Sequence, residues 1–173
     1  MFDFLPLAAT VDGRVFCVHA GLSPSLLNID DINQIKRIKE IPHEGPFADL
    51  MWSDPDSDTQ GFKYSQRGAG YNFGQDVVER FLHNNGCIRI YRAHQLCQEG
   101  FQELFEGMLA TVWSAPNYCY RFENLASILE LDENLDYYFN IFEDAPENRK
   151  KKPEDGERTR ASISSMGSES SSR

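Results

Sequence analysis

Near the start of the chain two short, largely apolar runs, L-A-A-T-V (7–11) and R-V-F-C-V-H (14–19), flank Asp12-Gly13. Such runs on either side of an Asp-Gly pair predict two short strands joined by a tight turn, with Val15, Cys17 and His19 on one face. The second strand thereby delivers His19 to a loop. From Asp30 to Lys39 the spacing changes: Ile32, Ile35 and Ile38 recur at helical intervals, and Asp30 or Asp31 can cap the start. A short amphipathic helix is predicted there.

Glu44 to Gly74 is rich in Gly, Pro, Ser and Asp with little periodicity, and reads as long loops of the kind that carry function in compact domains. Between Asp76 and Asn84, Val77, Val78, Phe81 and Leu82 fall on one side of a predicted helix, which Asn85-Gly86 ends. C-I-R-I-Y-R is then a strand candidate running up to His94. Met108 to Phe142 contains three β-like runs, M-L-A-T-V-W, L-A-S-I-L-E-L and Y-Y-F-N-I-F, separated by a loop at Ser114–Glu123 and a turn at Asp132–Asn134. They predict a terminal meander. The predicted division is one folded domain over 1–143 and a charged, Ser-rich tail over 144–173, too polar to bury a core and expected to be disordered. No internal repeat is found.

Composition narrows the options. The chain has 173 residues, 40% hydrophobic, which suffices for one ordinary core. A formal net charge of −10 argues against a general nucleic-acid binder, because the phosphate backbone repels such a surface. Cys17, Cys87, Cys97 and Cys119 are widely spaced, with neither a C-x-x-C pair nor a disulfide-dense pattern, so a reducing compartment is expected. The run M-F-D-F-L-P-L-A-A-T, broken by Asp3 and Pro6, suits neither a signal peptide nor a membrane span. The expected location is cytoplasmic, or nuclear as well.

The chemistry-bearing candidates are few. His19 and His94 each follow a predicted strand, where a rigid scaffold can present a metal ligand; taken singly, either reads first as an ordinary structural or surface histidine. Arg67, in S-Q-R-G-A-G-Y, sits in a glycine-flanked loop from which a planar guanidinium can reach two phosphate oxygens, or simply lie in solvent. Asp54, in W-S-D-P, is either a site residue or a turn residue before Pro55.

Five segments occur in order: V-H-A-G-L-S-P, L-M-W-S-D-P-D, R-G-A-G-Y-N-F-G, Y-R-A-H-Q and V-W-S-A-P-N-Y-C-Y-R. Together they closely resemble the phosphoprotein phosphatase family, in its C-terminal half, from Phe2 to about Pro146. E-I-P-H-E-G-P, R-A-H-Q-L and A-P-N-Y-C-Y-R are similar to the catalytic subunits of protein phosphatases 2A, 4 and 6, with I-L-E-L-D-E leaning toward phosphatase 4.

The resemblance implies an α+β fold, half of a metallophosphatase β-sandwich of mixed sheets flanked by helices. It implies two divalent metal ions, manganese first with iron or zinc as alternatives, and it assigns His19 and His94 to one of them. A metal-activated hydroxide then hydrolyses phosphoserine or phosphothreonine on proteins. Arg67 matches the phosphate-holding arginine, Tyr118 a rim tyrosine and Asp54 a supporting residue; Cys119 receives no catalytic role. Phosphoprotein substrates and scaffold or regulatory phosphatase subunits are the implied partners, with neither nucleic acid nor membrane.

Departures from the pattern limit this expectation. D-x-H, G-D-x-x-D-R-G and G-N-H-E, which carry the family's other metal ligands, a second arginine and the general acid, do not occur in the chain. Ala20 stands in place of the subfamily's glycine, Phe122 in place of a cysteine, and S-S-S-R replaces its methylated Tyr-Phe-Leu end. The expectation is therefore a partial catalytic subunit, inactive by itself. The competing reading is a catalytically inactive short form that binds scaffold or regulatory subunits. A third places kinase targets at Ser162, Ser164, Ser165 and the serines of 168–172, near Arg158 and Arg160.

Overall fold

The structure, a computed structural model, describes residues 2–146. Strands β1 (Ala8–Val11) and β2 (Val15–Val18) form the expected hairpin, paired antiparallel from Ala8 opposite Val18 to Val11 opposite Val15. Asp12 and Gly13 both take positive φ in its turn, as the Asp-Gly signal requires. The strand before His94 is β6 (Arg89–Arg92), which lies parallel to β2 with Cys17 opposite Tyr91. β6 in turn pairs in parallel with β8 (Leu109–Val112).

The three C-terminal runs are strands, but they are not a simple meander. β7 (Glu99–Leu104), for which the sequence predicts no element, pairs antiparallel with β8 and parallel with β9 (Leu125–Leu131). β10 (Tyr137–Phe142) then closes a hairpin on β9. The seven-stranded mixed sheet runs β1-β2-β6-β8-β7-β9-β10. E-G-F-Q-E-L carries little strand signal because it is mostly polar; its pairing on both sides, rather than its own side chains, makes it a strand.

Two further expectations are corrected. The helix over Asp30–Lys39 is only the single turn α1 (Ile29–Ile32); Ile35 still packs against the core, but Ile38 is 72% exposed, so no continuous buried face supports a helix over the predicted length. Neither Asp30 nor Asp31 caps it, since Asn28 occupies that position. The Glu44–Gly74 segment contains α2 (Pro46–Trp52) and a small sheet of β3 (Asp54–Pro55), β5 (Tyr71–Phe73) and β4 (Phe62–Tyr64), in that order. Pro46 at the first helical turn is an available start signal. α3 (Gln75–Asn85) matches expectation and ends at Gly86 in the left-handed conformation.

The main core lies on one face of the large sheet. Phe16, Val18, Ile90 and Leu109 from the strands meet Leu50 of α2, Phe73 of β5 and Val77, Val78, Phe81 and Leu82 of α3. On the other face Val15, Tyr91 and Ala110 are covered by Leu129, Leu131 and Phe139 of the β9–β10 hairpin. The assignment of Val15 and Cys17 to one face holds. Strand β10 ends at Phe142, one residue short of the expected domain boundary, and the tail expected over 144–173 lies, from residue 147 on, outside the described residues.

Candidate active site

Because β2 and β6 are parallel neighbours, their C-terminal ends present successive residues at the same sheet edge. Ala93 N–H donates to the His19 carbonyl at 2.9 Å, extending the ladder one step past both strands. The side chains then converge, with His19 Nε2 3.1 Å from His94 Nδ1. His94 holds a φ of 67°, unusual for a non-glycine residue, and its ring meets Trp52 edge-on at 5.5 Å. Such a conformation persists only where its surroundings enforce it.

His94 Nε2 is buried without a hydrogen-bond partner. Burial pushes the His94 pKa down to about 4, and burial, with Arg92 nearby, also lowers that of His19. Both imidazoles are therefore neutral near pH 7, the form that binds metal. Their 3.1 Å spacing serves as a hydrogen bond, and it also suits two adjacent ligands, each about 2.1 Å from one ion. The pair fits part of one metal's coordination. Among the described residues no group of three or more His, Cys, Asp or Glu side chains is placed to complete it.

Asp54 is buried on β3 and joins two arginines. Its Oδ2 accepts from Arg67 Nε at 2.5 Å, and its Oδ1 from Arg92 Nη2 at 2.8 Å. The turn reading of W-S-D-P is thereby set aside. Arg67 keeps 39% of its side chain exposed, so one edge of its guanidinium is held while the rest faces solvent. Its loop is tied down by Ser65 Oγ, which accepts the Arg67 N–H, and by Ser53 Oγ, which accepts that of Tyr71. Gly70 is required there: with φ of 69°, it approaches the Ser53 nitrogen so closely that a β-carbon would lie 2.8 Å away. Arg67, Asp54, Asp56, Ser65 and Gln95 line an open polar groove.

Tyr118 stands apart. Its ring packs edge-on against Trp113 at 4.9 Å and tilts against Phe122, and its N–H donates to Asn124 Oδ1 at 2.8 Å. None of these contacts reaches the two histidines, Asp54 or Arg67. Cys119 follows it on the same exposed turn.

Sequence reasoning gives no role to Arg92, whose side chain is fully buried and hydrogen-bonded to Ala20 O, Ser53 O, Asp54, Gln95 and Thr111. The available signal is positional: counting two residues on from Ile90, which faces the main core, places Arg92 on the inner face of β6.

Residues 1–98 match the family of calcineurin-like phosphoesterases. Over 153 residues the chain is 55% identical to a protein phosphatase 2A catalytic subunit of Dictyostelium discoideum, covering 88% of this chain and 49% of that protein. It is also 55% identical, over 160 residues, to a PP2A-like serine/threonine-protein phosphatase of Saccharomyces cerevisiae, covering 86% of this chain and 44% of that one. The chain thus spans about half the length of the curated relatives it matches. A solved serine/threonine phosphatase from Saccharomyces cerevisiae, described as similar to human phosphatase PP5, superimposes with a TM-score of 0.75 at 34% identity. The superposition covers 83% of this chain and 49% of that one. An α+β metallophosphatase fold, matched over most of its length by 2A-like catalytic subunits, places the chain among the calcineurin-like phosphoesterases, as a member of the phosphoprotein phosphatase family.

Proposed function

We propose that these residues form the C-terminal half of a protein serine/threonine phosphatase site that hydrolyses phosphoserine and phosphothreonine. The observation that carries this reading is the meeting of His19 and His94 at 3.1 Å beside an arginine clamped by a buried carboxylate. When bound, a divalent metal, manganese first, supplies Lewis-acid polarisation and an acidified water. His19 and His94 are its residues here, with the partly buried His94 ring held neutral and the pKa of His19 lowered as well.

Arg67 does the rest of the work assigned to these residues. Its Nε is committed to Asp54, which leaves the terminal guanidinium nitrogens to grip phosphate oxygens in the groove and offset their charge. Asp54 fixes the direction in which that fork points. Two imidazole donors are too few for a working metal centre, so hydrolysis needs ligands from beyond the described residues. Tyr118 is proposed as a rim residue for the bound phosphoprotein. Scaffold or regulatory subunits are the proposed partners, in a reducing cytoplasmic or nuclear setting that suits four free thiols.

The test is phosphate release from a phosphothreonine peptide, with manganese added, by the polypeptide recovered from its own cells through a tag placed after residue 173. Release that falls more than tenfold in Arg67→Ala supports the reading. A recovered polypeptide that carries a scaffold subunit and hydrolyses nothing supports the inactive short form instead.

A further inference from the structure

Arg92 is a fully enclosed charge, with 0% of its side chain exposed. Burying a guanidinium is costly unless its donors are all engaged, and here they are. Nε donates to Ala20 O, one residue beyond His19. Nη2 donates to Ser53 O and to Asp54 Oδ1, the latter at 2.8 Å. Nη1 donates to Gln95 Oε1 at 2.8 Å and to Thr111 Oγ1 at 3.4 Å. One planar group therefore touches the loop after β2, the junction of α2 and β3, the loop after β6 and strand β8. Among these are the segments that carry His19, Asp54 and His94.

We infer that Arg92 is a positioning residue: it holds Asp54 from behind so that Asp54 aims Arg67 into the groove, and it fixes that arm relative to the histidine pair. This rests on the phosphate-gripping role proposed for Arg67. The carboxylate of Asp54 divides cleanly between the two arginines, one oxygen each. Without Arg92, the Oδ1 side of Asp54 has no cation, and the carboxylate is free to rotate about its own side-chain bond. Arg67 would lose its fixed direction rather than its charge. A lysine cannot substitute, because a single ammonium cannot reach acceptors arranged around a planar fork.

The test uses the whole 173-residue chain. Arginine Nε–H exchange is followed by NMR, and inorganic phosphate binding by titration. Arg92→Lys is expected to leave the amide spectrum folded, to raise exchange at Arg67 Nε at least tenfold, and to weaken phosphate binding several-fold. Asp54→Asn, which breaks the same relay at its centre and leaves Arg92 in place, should do likewise, and the double variant should be no worse than the weaker-binding single variant. If Arg92→Lys does not fold, Asp54→Asn decides alone. Unchanged Arg67 exchange and phosphate affinity in either folded variant, or strictly additive losses, would overturn the relay. Arg67→Met separates the two readings: unaltered phosphate binding there means that the phosphate role itself fails, whereas loss there with none in the other variants rejects only the positioning role.

Discussion

Ser23 and Asp49, twenty-six residues apart, are both buried and are joined by a 2.6 Å hydrogen bond from the hydroxyl to the carboxylate. Burial raises the Asp49 pKa, and the Ser23 hydrogen bond only partly opposes this. The folded chain therefore retains that proton to higher pH than the unfolded chain does. Stability attributable to Asp49 falls as pH rises from the unfolded value through the folded one, and the penalty is complete above it. Urea denaturation should show Asp49→Asn flattening this slope. Ser23→Ala should cost about 1–3 kcal/mol, because it strips the donor from a buried carboxyl group.

The histidine pair titrates in the opposite sense. With His94 lowered to about 4 from an unfolded value of about 6.5, the unfolded chain binds the extra proton first as pH drops. Stability from this group is complete above about pH 6.5 and is lost progressively toward about pH 4. His94→Gln should remove most of that acid-side slope, read as the urea midpoint against pH. A slope unchanged by the substitution would mean that the ring is not held neutral by its burial.

Gly21 lies two residues past His19, where a β-carbon would sit 2.4 Å from a Phe73 ring carbon and 2.7 Å from the Ser53 carbonyl oxygen. Phe73 is fully buried and cannot swing away. Gly21→Ala should cost about 1–3 kcal/mol by thermal unfolding, as overpacking does, and should also shift the His19 ring resonances.

Asn124 organises the loop that carries Tyr118. It is buried, accepts the Tyr118 N–H through Oδ1, donates through Nδ2 to the Ala115 carbonyl at 2.9 Å, and its own carbonyl accepts the Asn117 N–H. Asn124→Ala should cost about 1–3 kcal/mol and raise amide exchange at Tyr118 at least tenfold, while leaving exchange in β2 and β6 unaltered.

The strands that deliver the histidines are legible in the sequence because V-F-C-V and R-I-Y-R are short runs rich in β-branched and aromatic residues beside clear turn chemistry. The polar strand β7 is not legible, since its conformation is imposed by β8 and β9 on either side. Ile32, Ile35 and Ile38 suggest a helix, but only the first two pack against the core, and the helix ends after its first turn. In the site, His19, His94, Arg67 and Asp54 are identifiable as residue types in motifs. The link between the last two is not, because it runs between a strand and a loop thirteen residues apart and is completed by Arg92 from a third segment. A buried arginine announces itself only through the parity of its strand.

Neighbouring parallel strands sit about 4.8 Å apart whatever their side chains, and each step along one is about 3.3 Å. The backbone ladder therefore decides which residues of the two strands end side by side, and the left-handed turn at His94 brings the second ring against the first. A one-residue slip of β6 against β2 would not adjust the pair gradually; it would turn His94 to the opposite face and abolish it. Whether the two rings can meet at all is thus decided by strand register.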